Sequence, residues 1–284
     1  MIIPVGAHLG TARTHPTEGQ MRLFLLPSSF KGEHDKAHSL EIAGKEYNYL
    51  VNALRLKEGQ KIMGRDRSGA LWDLTIDEIC NGHCKLTAEP TQEAIEYTDA
   101  LPQQRPLKPI VLYQCLPKGR KTDDIVKRAT EAGVQAIVLV KSRNCVADIS
   151  GKESSKLSRY DAVIKEAIQQ SGSVVPTTVE GPIDISKIPE DLKRRANGNP
   201  TLGLVLHQCE LEKDQSDLLG TVKGFEGTTA IVVGSEGGLT NEESNKLLQA
   251  GFKAILLKTN ILRCETASIY AIGAIQTILE STCS

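Results

Sequence analysis

Apolar and polar positions follow two different rhythms along this chain. From residue 21 to about 90 the apolar runs are short and polar turns separate them. Residues 22–26 read as a strand, and residues 60–65, 70–77 and 83–88 as three more. Residues 46–56 break this alternation, because Tyr49, Leu50, Ala53 and Leu54 share one helical face. Arg67-Ser68-Gly69 and Asn81-Gly82 read as turns between strands. Short strands with polar turns predict a compact β-barrel.

Beyond residue 108 buried strands alternate with amphipathic helices. Strands are expected at 109–116, 135–140, 202–207, 229–233 and 254–258, and helices at 122–132, 153–170, 241–250 and 265–280. Thr122 reads as the cap of the first helix, with Asp123 and Asp124 in its first turn and Gly133 at its end. In the second, Leu157, Tyr160, Val163, Ile164 and Ala167 face inward. Thr240 and Glu243 have the spacing of a capping box. Strands alternating with helices imply a mostly parallel sheet covered on both faces, with ligands bound beyond the carboxyl ends of its strands. Three such ends carry unusual residues: His207, the turn Gly234–Gly238, and Lys258-Thr259-Asn260.

The pattern divides the chain into four parts. Residues 1–20 lack periodicity and read as a disordered extension; 21–90 form the small β-rich domain. Residues 91–107, with Pro102 and Pro106, are a linker, and 108–284 are the α/β domain. No apolar run reaches the ~18 residues needed to span a bilayer. Seven cysteines, scattered in a chain of 284 residues, indicate reduced thiols and a cytoplasmic setting. Cys80, His83 and Cys84 lack a second pair of ligands, so no metal is expected.

A net charge of −1 hides an uneven distribution. Residues 101–145 carry 9 Lys and Arg against 3 Asp and Glu. Such a window suits a polyanionic partner, and equally an ordinary solvated face. Arg22, Arg55, Arg65 and Arg67 in the small domain pose the same pair of readings.

The chemistry is narrowed first by what is missing. The chain has no G-x-G-x-x-G after an early strand, no G-x-x-x-x-G-K-[ST] and no G-x-S-x-G. Its glycine turn, V-V-G-S-E-G-G-L-T at 232–240, lies late in the chain. About twenty-five residues on comes I-L-R-C-E-T-A at 261–267. This pair resembles the C-terminal signature of the RsmE family, uridine-N3 methyltransferases of 16S ribosomal RNA in the SPOUT superfamily. Lys118-Gly119-Arg120-Lys121, Ala129–Val134, Glu166-Ala167 with Gln170-Ser171, and Leu50–Arg55 resemble further family segments. Ser235, Cys264, Tyr49 and Ser173 depart from the usual Pro, Thr, His and Arg.

The resemblance implies a deep trefoil knot in the C-terminal domain, a PUA-like N-terminal barrel that binds RNA, S-adenosylmethionine as cofactor, and a homodimer. It implies a cofactor pocket formed by Leu206, His207, Gly234, Glu236, Gly237, Leu257, Ile261, Leu262, Thr266 and Ala267. The glycines there would let the backbone approach the ligand closely. Arg22, Arg55, Lys118, Arg120, Lys121, Arg128 and Arg143 would carry RNA phosphates. Removing the imide proton of uracil leaves negative charge on the base, which a cation can stabilise. Arg263 is the candidate for that role, with an ion pair to Glu236 or Glu265 as the alternative. Glu265 is the base, the residue that orients Arg263, or a cap of the final helix. Glu236 reads as a loop organiser, and His207 as proton acceptor or pocket wall. Rival functions are methylation of a ribose 2′-hydroxyl or of tRNA, and RNA binding without catalysis.

Overall fold

The computed structural model describes residues 23–91 except 28, 34 and 67–69, then 107–147, 151, 153–173, 175–206 and 215–281. The extension 1–20, Arg22, the turn 67–69, residues 92–106 of the linker and His207 lie outside the described residues.

Two sheets organise the chain. The first has five strands: β1 (Leu23–Leu25), β2 (His38–Ala43), β3 (Lys61–Arg65), β4 (Leu71–Cys80) and β5 (His83–Pro90). Their order is β1-β3-β4-β5-β2, with β1 parallel to β3 and the other pairs antiparallel. The expected barrel is therefore open among the described residues, since β1 and β2 are edges and do not pair. A helical segment covers the apolar face instead. It begins as α1 (Gly44–Tyr47) and continues as a π-helical turn over Asn48–Ala53, placing Leu50 in a core with Phe24, Trp72, Leu74, Ile76 and Leu86. Ala53, expected on the inner face, is exposed because the π turn rotates it outward.

The second sheet has seven parallel strands: β6 (Ile110–Cys115), β7 (Ala136–Lys141), β8 (Thr178–Asp184), β9 (Thr201–Leu206), β10 (Gln215–Ser216), β11 (Thr228–Val233) and β12 (Lys253–Ile255). Their order is β10-β12-β9-β11-β6-β7-β8. The central strands β6 and β11 are buried at every position, so they read as unbroken apolar runs. Around the sheet lie α2 (Lys121–Glu131), α3 (Glu153–Ser171), α4 (Ile188–Ala196), α5 (Leu218–Val222), α6 (Asn241–Gln249) and α7 (Cys264–Glu280). One core face joins Leu112, Ile125, Tyr160, Ile231 and Ile275; the other joins Val111, Tyr113, Val138, Ile188 and Leu247.

Thr122 does not cap α2. The helix starts one residue earlier, Arg120 occupies the cap without a side-chain bond, and Thr122 is buried. Gly133, at φ +74°, does end this helical stretch. The Thr240–Glu243 capping box is formed from both sides, so the start of α6 is set locally. On α7, Ile272, Ile275 and Leu279 are buried in the chain's own core and Ile269 and Ile278 pack against it. The apolar stripe of that helix is thus used within the protomer.

The two sheets meet through α3. Arg65 is buried and donates from Nη1 to the carbonyl of Ser173 and from Nη2 to that of Gly172, at 2.9 Å. These carbonyls lie one and two residues past the end of α3, where a cation is favoured. Arg65 is therefore a helix cap between the two sheets, neither a surface charge nor a phosphate ligand. Lys165 of α3 adds a second tie, 2.7 Å from Glu46 of α1.

Candidate functional site

A cavity of about 550 Å³ opens beyond the carboxyl ends of β9, β11 and β12. Its wall comes from three chain segments: Leu206 at the end of β9, the run Val233–Leu239 with Asn241, and Leu256–Leu257 with 259–264, closed by Ala267. The strands deliver these segments to one place because β12 pairs with β9 and β9 with β11, all parallel. Their carboxyl ends therefore point the same way.

The turn after β11 is compact because its residues are small. A Cβ on Gly234 would meet the Cα and carbonyl carbon of Gly238 at 2.9 and 3.0 Å, so nothing larger fits. Gly238 takes φ +65°, and its N–H bonds the carbonyl of Ser235 at 2.9 Å. Two side chains hold the turn from outside. Asn144 Nδ2 donates to the carbonyl of Gly237 at 2.8 Å, and Ser235 Oγ donates to the carbonyl of Asn144 at 3.2 Å. From below, buried Gln114 donates to the carbonyls of Cys115 at 2.9 Å and Gly234 at 3.4 Å, and accepts from Ser268 Oγ at 2.6 Å. Gln114 thus links β6, the turn and α7, a placement that leaves its amide satisfied where it is fully buried.

Charge collects on one side of this cavity. Lys121, the first residue of α2, reaches Glu236 Oε1 at 2.7 Å and Glu265 Oε2 at 3.7 Å. Glu236 also accepts from the backbone N–H of Lys118, at 3.1 and 3.3 Å. Burial pushes the Glu236 carboxyl up, but the bonds from Lys121 and from backbone N–H groups outweigh it and leave it below the usual range. Glu265 behaves alike: burial raises it, while backbone and Cys264 hydrogen bonds and the charges of Lys121 and Arg263 bring it down. Both carboxylates are ionised at neutral pH. The Cys264 thiol donates to Glu265 at 3.2 Å and is pushed up to about 12 by burial and that carboxylate, so it stays neutral. Arg263 lines the cavity, is exposed, and forms no ion pair among the described residues. The pairing weighed for Arg263 is made by Lys121 instead.

Most of the residues expected from sequence meet here. Leu206, Gly234, Glu236, Gly237, Leu257, Ile261, Leu262, Arg263 and Ala267 all line the cavity. Thr266 does not; it lies on the exposed side of α7. Glu265 stands behind the wall, against Lys121. Lys121 itself lines the cavity, with its side chain 32% exposed. Lys118 and Arg120 are exposed in the loop before α2. Arg128 is exposed on α2, 3.9 Å from Asp124, and Arg143 is exposed beside α6, 3.1 Å from Glu242. Arg55 is exposed at φ 55°, at the end of the π turn.

Sequence reading missed Asn144, which clasps the turn from 93 positions away, and the polar wall residue Asn241. No local pattern marks Asn144. Thr259 and Asn260 were legible only as an unusual strand end.

These features agree with what the chain resembles as a whole. The RNA methyltransferase domain family matches across residues 103–276. The ribosomal RNA small subunit methyltransferase E of Aquifex aeolicus is 32% identical over 192 residues, 66% of this chain and 76% of that one. The protein of that name from Bacillus subtilis is 26% identical over 256 residues, covering 86% and 92%. The fold matches the solved structure of a ribosomal RNA small subunit methyltransferase E from Neisseria gonorrhoeae bound to S-adenosyl methionine. The TM-score is 0.73 at 24% identity, over 91% of this chain and 98% of the other. A match over most of the α/β sheet, joined to the Aquifex likeness, means that the chain belongs to the RNA methyltransferase domain family and, within it, to the ribosomal RNA small subunit methyltransferase E family.

Proposed function

We propose that this protein transfers a methyl group from S-adenosylmethionine to N3 of a uridine in small-subunit ribosomal RNA. The observation that carries the reading is the cavity beyond the strand ends, with a glycine turn for one wall and cations at another. The residues present fit this cofactor. Leu206, Leu257, Leu262 and Ala267 offer apolar surface to an adenine, and the backbone of the turn offers donors and acceptors to a ribose. Gly234 leaves no room for a side chain between the turn's two arms. When bound, S-adenosylmethionine supplies a methyl group made electrophilic by its sulfonium.

The chain's own groups then have separate tasks. The cavity walls hold the reacting partners in line, and such positioning supplies much of the rate in a displacement. Arg263, exposed and unpaired among the described residues, faces the incoming base and stabilises the charge that appears on a uracil carbonyl as N3 loses its proton. Glu265 stays ionised and is a weak acceptor for an imide proton. Its task is to hold Lys121 and, at the start of α7, to favour the helix dipole. Solvent at the open mouth takes the proton.

The finer architecture is part of the same reading. The α/β domain carries the deep trefoil knot, a reading supported by β12 lying on the far side of β9 from β11 while α7, which follows β12, packs back against β11 and β6. Residues 21–90 are a PUA-like RNA-binding domain joined by the linker 91–107 to the methyltransferase domain 108–284. Arg22, Arg55, Lys118, Arg120, Arg128 and Arg143 contact phosphates, and the uridine is unstacked to reach the cavity. The protein works as a cytoplasmic homodimer. Exposed Leu219 and Tyr270, on neighbouring helices α5 and α7, support the pairing, and no helix among the described residues is long and apolar enough to cross a membrane.

The test is methyl transfer to small-subunit ribosomal RNA from cells lacking the modification, read by mass spectrometry of nucleosides. 3-Methyluridine is expected. A 2′-O-methyl nucleoside would move the acceptor to ribose, and absence of transfer together with absence of cofactor binding by calorimetry would end the enzymatic reading.

A further inference from the structure

Glu236 stands at the middle of the cavity turn, and its carboxylate bonds across to the chain segment that opens α2. It accepts from the backbone N–H of Lys118 and from Lys121 Nζ, so the turn is bonded to the segment Lys118–Lys121, 115 to 118 positions earlier in the chain. That loop carries Lys118 and Arg120 on its exposed side and turns at Gly119, φ +71°. A charge-assisted bond between a carboxylate and an ammonium is among the stronger hydrogen bonds, and one carboxylate here takes both kinds of donor. Glu265 holds the same ammonium from α7, 3.7 Å away. The opposite side of the turn is held separately, by Asn144 on Gly237.

We propose that Glu236 is a positioning residue that couples the two binding events, so that filling the cavity raises affinity for RNA and RNA raises affinity for the cofactor. This rests on the function proposed above and adds what that function does not require, an energetic link between its two ligands. The physical basis is ordering. The turn 234–238 is already held by Asn144 and by the Gly238 N–H; a ligand in the cavity restrains it further, and the Glu236 carboxylate passes that restraint to the loop that presents Lys118 and Arg120 to phosphate. The entropy lost in ordering turn and loop falls on whichever ligand binds first, and the second ligand escapes it. Linkage makes the effect reciprocal, and a coupling of this kind is typically about 5- to 150-fold.

The experiment is a titration cycle by calorimetry, using S-adenosylhomocysteine as a non-reacting probe and a small-subunit ribosomal RNA fragment carrying the unmodified uridine. RNA affinity is measured with and without the probe, and probe affinity with and without RNA. For the unaltered protein the expected coupling is about tenfold in both directions. Glu236→Gln keeps an oxygen for the Lys118 N–H and loses the ion pair; Lys121→Met removes the same pair from the other side. Each is expected to bring the coupling factor to within twofold of one. Asn144→Ala loosens the turn without touching the bridge, and is expected to weaken probe binding while the coupling persists. A structural role alone would lower affinities and leave the factor near ten. Coupling retained in Glu236→Gln, or absent from the unaltered protein while both ligands bind, overturns the proposal. Failure of the unaltered protein to bind either ligand overturns the functional reading itself, and the coupling with it.

Discussion

The parallel sheet carries two charged clusters that differ in what they leave open. One packs against its face. There Tyr113, fully buried on β6, donates to Asp191 of α4 at 3.0 Å, and Asp191 also accepts from Arg194 and Arg195, both at 2.6 Å. Arg195 spans onward to Glu180 of β8 at 2.7 Å. The Asp191 and Arg195 side chains are only 13% and 11% exposed. The other cluster, Glu236, Lys121, Glu265 and Arg263, lies beyond the strand ends and borders a cavity of about 550 Å³. In the first cluster each charge is matched and no space remains; it holds an edge strand and a helix in place. In the second, Arg263 is left facing open volume. Ion pairs alone thus say little about function. What separates the two is whether charge borders room for a ligand.

That contrast can be pressed hardest at Gly234. Its replacement by Ala sets a Cβ against the backbone of Gly238, which cannot rotate aside as a side chain would. Overpacking of this kind costs about 3 kcal/mol at most in ordinary cores, which, if borne entirely by the bound form, is roughly 100-fold in affinity. S-adenosylmethionine affinity of Gly234→Ala should fall by about that factor in calorimetry, with Tyr113 and its partners unaffected. Near-normal affinity would remove the turn from the binding site.

Asp191→Ala should do the reverse. It leaves Arg195 and the Tyr113 hydroxyl short of a buried partner, a loss of about 3 kcal/mol in urea unfolding, while cofactor affinity stays within twofold. Burial pushes the Asp191 carboxyl up, but hydrogen bonds from Arg195, Arg194 and Tyr113 win and hold it below 3.8. A carboxyl depressed in the folded state adds stability that is present above its unfolded value and disappears as pH falls through the folded one. Stability of the unaltered protein should therefore drop more steeply below about pH 4 than that of the variant. A cofactor affinity that fell with stability would join the two clusters into one.

The same division governs what could be read in the sequence. Strand β11, the Thr240–Glu243 box and α7 were legible because each is set by neighbours in the chain: an apolar run, a three-residue spacing, a helical period. β2 and β8 were not. Both are edge strands: β8 contains Pro182 and shows no clean alternation, while β2 alternates in burial but has only His38, Leu40 and Ile42 on its inner side, too few to stand out. α4 is only nine residues long and follows a three-residue 3₁₀ turn, so its helical period is short. Within the site, glycines and apolar wall residues were visible as motif members. The Lys121–Glu236 bridge and the Asn144 clasp were not, because contacts between positions about a hundred apart leave no periodic trace. Arg65 escaped both readings offered for it: one basic residue among several in a β-rich stretch reads as a surface charge or a phosphate ligand until the end of α3 is found above it.

Arg65→Met tests whether the small sheet serves the site through its orientation. The variant strips two carbonyls at the end of α3 of their buried donor, a loss of about 2 kcal/mol. The Lys165–Glu46 tie remains. RNA affinity should fall several-fold in a filter-binding assay, with cofactor affinity unchanged. If stability falls and RNA affinity does not, the first sheet contributes no RNA contact that depends on its placement.

The smallest effect belongs to Arg143. Its ion pair with Glu242 joins side chains 66% and 53% exposed, and pairs of that kind are worth between zero and about 1 kcal/mol. What anchors the segment is the backbone: the N–H of Arg143 bonds Glu243 at 2.8 Å, and the neighbouring Asn144 clasps the turn. Arg143→Ala keeps both contacts, so stability and cofactor affinity should not move. A phosphate contact, however, is lost whole. RNA binding should weaken about threefold at low salt, and the slope of log affinity against log salt should shrink by about one. An unchanged slope would place Arg143 with Asp191 and Arg195, among charges that hold the structure together and meet no ligand.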